Sequence, residues 1–516
     1  MFFVGINDGN VPKKADSRSV LSESDREYLE DKGIVMSASV REKAFTQRFY
    51  LYLIMTKSAE KLYMSYAVKN SEGAALMPSY IIRSMRKMFP QCLKLSYKDT
   101  AQQNSYVTIP HAAYSYEQTE TAANVDEDII DSLTGGRLVG SVTSFENFAE
   151  CPLRYYLRYG VDLKEREEFT FSPVNFGVVL HAVIREVCDE IKKNGESYYL
   201  ISEEKRREMV KRSVAAITDI YQNSILKDSS RNSFMIKRME DLADRTIWAM
   251  GEQLKCGDFV PFVFEHKFNM EVGDGDRKQL MSGTIDRVDI CENDTDVYVR
   301  IIDYKTGKKD FNIVKTYYGI DIQLMVYMEA AMKLVAKMRP GKNVLPAGVF
   351  YYNISDPIVS ATNESAEEIE DKIKGELRLK GMVNSDKDIA EKMDNTEGTS
   401  LNIPVSRKAD GGFDSRRSKV MNTEQFNMLG RFVDVRAVDT ADRIAGGDIR
   451  RSPYKDGQFS SCDRCPYGAV CGFSVDLPGC NYRKLKKFDD EVLWNNIKEG
   501  VDENGKKMDT GAEERD

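Results

Sequence analysis

Apolar residues recur at helical spacing over Phe176–Ile191, where Leu180, Val183, Ile184, Val187 and Ile191 form one stripe. Downstream the pattern changes. Gly283–Asp289 and Val299–Gly307, separated by the polar turn Glu292–Asp296, predict two β-strands joined as a hairpin. Gln323 and Tyr327 are four residues apart on a predicted helix and so share a face. Near the start, Phe2-Phe3-Val4-Gly5 ends at the turn Asn7-Asp8-Gly9 and reads as a buried strand. Ser22 and Ser24 are N-cap candidates for a helix through Asp25–Glu30. A further helix over Glu42–Met55 and a strand over Lys61–Tyr66 follow. Together these divide the chain into a first unit (1–97), a polar linker (98–139), a second unit (140–481) and an acidic tail (482–516). The second unit is expected to hold an irregular insertion at 384–420, and the tail a helix over Glu491–Ile497 before it becomes disordered. A buried strand beginning at residue 2 needs neighbours that lie elsewhere, so the chain is expected to be the C-terminal part of a longer protein.

Composition adds limits. Hydrophobic content of 41% and charged content of 30% fit a soluble globular protein. No run of about 18 apolar residues predicts a membrane span, and the first residues lack the charged and apolar regions of a signal peptide. The expectation is a cytoplasmic protein whose nine cysteines are reduced, metal-bound or buried. The formal charge of −8 argues against a generic nucleic-acid binder. However, residues 489–516 hold ten acidic and four basic side chains and supply −6 of it. The rest of the chain is near neutral, with basic clusters at Lys205–Arg207, Arg416–Lys419 and Arg483–Lys487. Composition is therefore neutral on DNA.

The hairpin carries the chemistry. With a side-chain period of two, Asp303 and Lys305 project from the same face as Val299 and Ile301. Phosphodiester hydrolysis needs a hard cation held by oxygen ligands to neutralise the phosphate and activate water. Asp286 and Asp303 suit that task, and Lys305 can position the attacking water and stabilise developing negative charge. A bare Asp-x-Lys would be a cross-strand pair contributing at most about 1 kcal/mol. The combination of Gly-x-x-Asp-Arg-x-Asp, a hairpin-length gap and Asp-Tyr-Lys-Thr-Gly favours the catalytic reading. Asp289 either caps its strand or pairs with Arg287. His181 lies beside the helical stripe on the face of Gly177, and Gln323 and Tyr327 either contact a phosphate or brace the lysine.

Cys462-x2-Cys465-x5-Cys471 calls for a metal. Spacing alone slightly favours a zinc site completed by Cys480; the distant alternative is Cys151, in Glu-Cys-Pro-Leu-Arg-Tyr-Tyr.

Gly177-x3-His181, GTIDRVD, DYKTG and Gln323-x3-Tyr327, in that order, resemble the motifs of RecB-type PD-(D/E)xK nucleases. The resemblance spans roughly residues 140–480. It implies an α/β fold with a central mixed sheet flanked by helices, and Mg2+ or Mn2+ held by His181, Asp286, Asp303 and the Tyr304 carbonyl. The cysteines resemble the iron–sulfur clasp of some members, which implies a 4Fe–4S cluster on Cys151, Cys462, Cys465 and Cys471. Cys480 is then a bystander, and Cys92, Cys188, Cys256 and Cys291 are small buried hydrophobes. Phe3–Pro12, Ser24–Arg26, Phe49–Tyr66 and Gly73–Ser79 resemble the end of a superfamily 1 helicase motor. The motor is degenerate, with Lys57 where active members have arginine and no G-x4-G-K-[ST] loop in the chain. The whole order resembles B subunits of AddAB-type helicase–nucleases. That implies a heterodimer with an A subunit, acting on DNA ends and single-stranded DNA, with an exonuclease on the 5′-ended strand that resects double-strand breaks. A free-standing CRISPR-associated RecB-like exonuclease is disfavoured by residues 1–80, and a silent DNA-binding scaffold by the intact Asp286, Asp303 and Lys305.

Overall fold

The computed structural model describes residues 1–13, 22–34, 37–69, 75–92, 124–126, 128–129, 139–164, 173–220, 230–272, 279–360, 364–475 and 480–513. The predicted linker lies mostly outside them. The chain forms two units. One comprises the described residues of Met1–Thr121 and Phe473–Cys480, the other those of Ala122–Gly472 and Asn481–Asp516. The described residues of 473–480 thus cluster with the first unit rather than, as expected, with the second. Among the described residues no helix is long and apolar enough to cross a membrane.

In the first unit, β1 (Phe2–Phe3) pairs in parallel with β2 (Tyr63–Met64). The helices are α1 (Glu23–Asp31), α2 (Val40–Thr56) and α3 (Tyr80–Met88). Ser22 caps α1 as expected, in a reciprocal capping box with Asp25. The expected burial of the first strand is wrong: Phe2 is 75% exposed, and Val4 beyond it is also exposed. A lone two-residue ladder offers too little surface to cover either face.

The second unit is built on a seven-stranded mixed sheet. Its strands are β3 (Val139–Ser141), β4 (Val260–Val272), β5 (Gln279–Glu292), β6 (Asp296–Lys305), β7 (Asn343–Asn353), β8 (Lys380–Asn384) and β9 (Val420–Met421). The order is β3-β5-β6-β7-β8-β9, with β4 antiparallel to β5. The expected hairpin is β5–β6, antiparallel with Arg287 opposite Ile302. Strands β6 and β7 are parallel, and β7 and β8 antiparallel.

Alternation along β6 sends Ile302 and Tyr304 to one core and Val299 and Ile301 to the other. The first core is covered by α5 (Pro173–Lys193), α6 (Glu203–Ile220) and α7 (Ser230–Lys255). The second is covered by α4 (Val142–Glu150), α8 (Gln323–Met338), α9 (Thr423–Ala445) and α10 (Asp490–Glu513). Two expectations change here. Leu493 and Ile497 of α10 are buried in the second core, and the helix continues to Glu513, so this stretch is a packed element with an acidic extension. The 384–420 segment contains a helix at Lys387–Met393 and sends Ile403 and Val405 into the first core. Fully buried Asp394 ties it down by accepting hydrogen bonds from Ser400 Oγ (2.7 Å) and Asn402 Nδ2 (3.1 Å).

Candidate metal centre

The register of β5 and β6 brings Asp286 beside Asp303, both almost wholly buried. The backbone N–H of Tyr304 donates to Asp286 Oδ2 at 2.6 Å, which fixes that carboxylate's orientation. From the opposite side α5 presents His181, whose Nδ1 is 3.4 Å from Asp286 Oδ1 and 3.6 Å from Glu265 Oε1. Among the described residues, His181, Glu265 and Asp286 are the group whose ligand atoms gather within 4.8 Å of one another. Burial works against a charge on His181, yet its hydrogen bonds to Asp286 and Glu265 push its pKa up to about 10. Two carboxylates therefore draw positive charge to this point. Burial and the neighbouring Asp286 raise the Asp303 carboxyl to about 7 despite Lys305.

Lys305 Nζ lies 2.6 Å from Asp303 Oδ2, an ion contact without hydrogen-bond direction, since that oxygen is buried with no hydrogen-bond partner. The lysine donates instead to Gln323 Oε1 at 3.0 Å, and Gln323 Nε2 donates to Tyr327 Oη at 2.9 Å. These hydrogen bonds let the pair brace the lysine. Tyr327 packs edge-on against Phe268, and Gly283 allows it. A Cβ there would lie 2.7 Å from the Phe268 ring and 3.0 Å from Tyr327. Asp289 takes no part in the centre. Fully buried, it accepts from Arg287 (2.7 and 2.6 Å) and Arg300 (2.8 Å), a paired structural charge.

Two residues escaped the sequence pattern. Glu265 sits on β4 with φ +47, a left-handed conformation rare for a side-chain-bearing residue and concentrated at functional sites. Beside it the alternation of β5 slips: Met281 and Ile285, then Val288 and Ile290, all enter the same core. Glu146 on α4 accepts from the N–H groups of Ile322 (2.9 Å) and Gln323 (3.0 Å), the start of α8, which lacks a side-chain cap of its own. Burial pushes the Glu146 carboxyl up to about 7.

The cysteines lie apart from this centre in sequence. Cys151 precedes the turn Pro152–Tyr155, Cys462 lies in the 3-10 turn Ser461–Arg464 that Cys465 follows, and Cys471 ends the short helix Gly468–Cys471. Arg483 joins the Cys151 segment to the later one by donating to the carbonyls of Glu150 (3.1 Å) and Ser452 (2.8 Å). Burial pushes the Cys462 thiol up against a hydrogen bond with Tyr482 that lowers it, and the thiols of Cys151, Cys465 and Cys471 add to the rise. Cys480 is buried in the first unit. Of the four isolated cysteines, Cys188 and Cys291 are buried as expected, but Cys256 is partly exposed and Cys92 exposed.

The family model of the PD-(D/E)XK nuclease superfamily matches residues 140–472. The chain belongs to this superfamily. The PD-(D/E)XK region accounts for the sheet, the β5–β6 hairpin and the acidic cluster described above. Across its length the chain is also similar to the B subunits of bacterial enzymes named ATP-dependent helicase/deoxyribonuclease. It is 31% identical to that of Clostridium acetobutylicum, with 98% of this chain and 48% of the relative aligned. For Lachnoclostridium phytofermentans the identity is 32%, with 100% and 48% aligned, and for Caldanaerobacter subterraneus 30%, with 100% and 49%. The chain thus spans about half the length of the curated relatives it matches.

Proposed function

We propose that this chain carries the metal-dependent deoxyribonuclease of a helicase–nuclease B subunit, working with an A subunit as a heterodimer. It acts as an exonuclease on single-stranded DNA at break ends, on the 5′-ended strand, and so resects double-strand breaks for recombinational repair. The observation that carries the reading is the convergence of His181, Glu265 and Asp286 beside the Asp303–Lys305–Gln323 chain. Carboxylate oxygens, one imidazole and the buried Asp303 carboxylate make a hard donor set suited to Mg2+ or Mn2+. The Tyr304 carbonyl is the further proposed ligand. When bound, the cation supplies charge neutralisation at the phosphate and a more acidic water.

The chain's own residues do the positioning. Gln323, anchored by Tyr327, holds the Lys305 ammonium beside Asp303, where it can orient the attacking water and counter charge developing on the phosphoryl oxygens. Asp286 is held by the Tyr304 N–H, so its free oxygen faces His181 and the site. Residues 1–97 are the proposed remnant of a motor domain. Cys151, Cys462, Cys465 and Cys471 are the proposed ligands of a 4Fe–4S cluster. The thiols of Cys151, Cys465 and Cys471 all act on Cys462, which supports one centre shared by the four.

The test is cleavage by the purified chain of single-stranded DNA labelled at the 5′ or the 3′ end, with Mg2+, with chelator, and with Mg2+ restored. Cation-dependent loss of nucleotides from the 5′ end is expected. No cleavage under any divalent cation would leave a silent DNA-binding subunit in its place.

Glu146 gives a second prediction. Glu146→Ala removes the acceptor for two N–H groups at the start of α8, and with it the anchor of Gln323. The expected result is a fall in kcat of about tenfold with KM little changed, since binding is untouched. Glu146→Gln, which retains an acceptor oxygen, should recover most of the loss. Equal defects in both variants would remove Glu146 from the positioning role.

A further inference from the structure

The second unit has a cavity of about 250 Å3 lined by Arg436, Arg443, Arg450 and Arg483, together with Asp439. Its charges do not balance. Arg443 and Arg450 share one carboxylate, lying 2.8 and 2.6 Å from Asp448 Oδ2, and Asp439 is 3.8 Å from Arg443. Arg483 donates to the backbone carbonyls of Ala149, Glu150 and Ser452, which are neutral acceptors. Arg436 lies over the rings of Tyr317 (5.5 Å) and Phe432 (5.0 Å), and its buried Nε has no hydrogen-bond partner. Among the described side-chain carboxylates, only Asp439 and Asp448 face these four guanidiniums, and Arg483 is also acted on by the Cys151 sulfur, which leaves Arg436 without a negative partner. A buried N–H without an acceptor is destabilising. A ligand that brings both negative charge and acceptor oxygens would relieve both. Guanidinium forks match phosphate oxygens in geometry as well as charge.

The cavity is tied by the chain to the cutting centre. Ala149 and Gly319 form part of its wall. Ala149 lies on α4, three residues after Glu146, and Gly319 precedes Gln323 by four residues, which span at most about 14 Å. That separation is covered by a few nucleotides of one strand.

We propose that this arginine-lined cavity binds a backbone phosphate of the DNA strand being cut, a few nucleotides from the scissile bond. The proposal rests on the nuclease reading for the strand's presence, but it concerns binding. It is therefore tested without divalent cation, so that its failure and the failure of that reading are separate results.

The measurement is affinity of the full chain for a fluorescent single-stranded oligonucleotide as a function of salt. Each phosphate neutralised on a single strand contributes about −0.7 to the slope of log K against log salt. Arg436→Ala should weaken binding about fivefold or more near 0.1 M salt and make the slope shallower by about 0.7. Arg436→Lys should keep most of the slope. An oligonucleotide with one uncharged methylphosphonate, scanned along the strand, should at one position lose the same affinity on the wild-type chain and lose nothing further on Arg436→Ala. A thermal melt confirms folding, which is expected because Arg436 has no ion pair among the described residues. Unchanged affinity and slope in Arg436→Ala overturn the proposal, as does a wild-type affinity indifferent to salt. Stabilisation of the wild-type chain, but not Arg436→Ala, by inorganic phosphate would also overturn it if DNA binding were the same in both, because the cavity would then hold a free anion.

Discussion

Lys305→Ala is expected to lower cleavage of single-stranded DNA by at least about 10²-fold while the protein remains folded. The size follows from where the charge sits. The ammonium lies 2.6 Å from Asp303 and 3.0 Å from Gln323, at the end of a strand whose residues Val297–Tyr304 are buried. Charge developing on a phosphate there meets a fixed cation with little water to reorganise, the setting in which electrostatic stabilisation is largest. Folding should survive because the Lys305 side chain is 27% exposed and contributes nothing to either core. Asp303→Ala should match the loss, since it removes a proposed cation ligand and the lysine's ion partner together. Gln323→Ala should be milder, about tenfold, because the ammonium keeps its charge and loses only its orientation. Single-turnover rates on end-labelled oligonucleotide, with a thermal melt on the same preparations, read both halves. A Lys305→Ala rate within a few-fold of wild type would remove this centre as the site of catalysis.

The parts of this centre visible in the sequence are those that obey a simple period. Asp303 and Lys305 sit two apart on a regular strand, and Gln323 and Tyr327 four apart on a regular helix, so pattern alone placed each pair on one face. The helix carrying His181 was legible from its apolar stripe, since α5 covers the first core with Leu180, Val183 and Val187. Glu265 was not, and the reason is local. It occupies a left-handed turn of the backbone inside β4, opposite the point where β5 changes its alternation. A period-two reading assigns such a residue no particular face. Glu146 was hidden differently, because its role is to cap a helix that begins 177 residues later. Capping rules search the residues immediately before a helix, and Ile322 occupies that place here. The two-residue β1 misled for the opposite reason: four apolar letters look like a core strand, but burial depends on neighbours that composition does not reveal.

Cys151→Ala is expected to abolish the proposed cluster's iron and to cost the second unit much of its resistance to heat. A link between Cys151 and the Cys462–Cys471 segment closes a loop of about 310 residues, and the chain-entropy relation for a cross-link of that span gives about 5–6 kcal/mol as an upper scale. For a unit of this size the melting temperature should fall by about 5–10 °C. Part of the closure does not depend on the cluster. Arg483 already bridges the Glu150 and Ser452 carbonyls, and Tyr467 donates to Leu163 O at 2.9 Å, so the segments should remain associated when the thiolate is lost. The variant is therefore expected to fold and to melt early. Iron, sulfide and zinc content of anaerobically purified chain identifies the centre, and a melt of the same samples measures its contribution. Cys480→Ala, in the first unit, should leave iron content unchanged. Stoichiometric zinc without iron would replace the cluster with a zinc site. An unaltered melting temperature in iron-free Cys151→Ala would show that the hydrogen bonds of Arg483 and Tyr467 hold the segments together without the cluster.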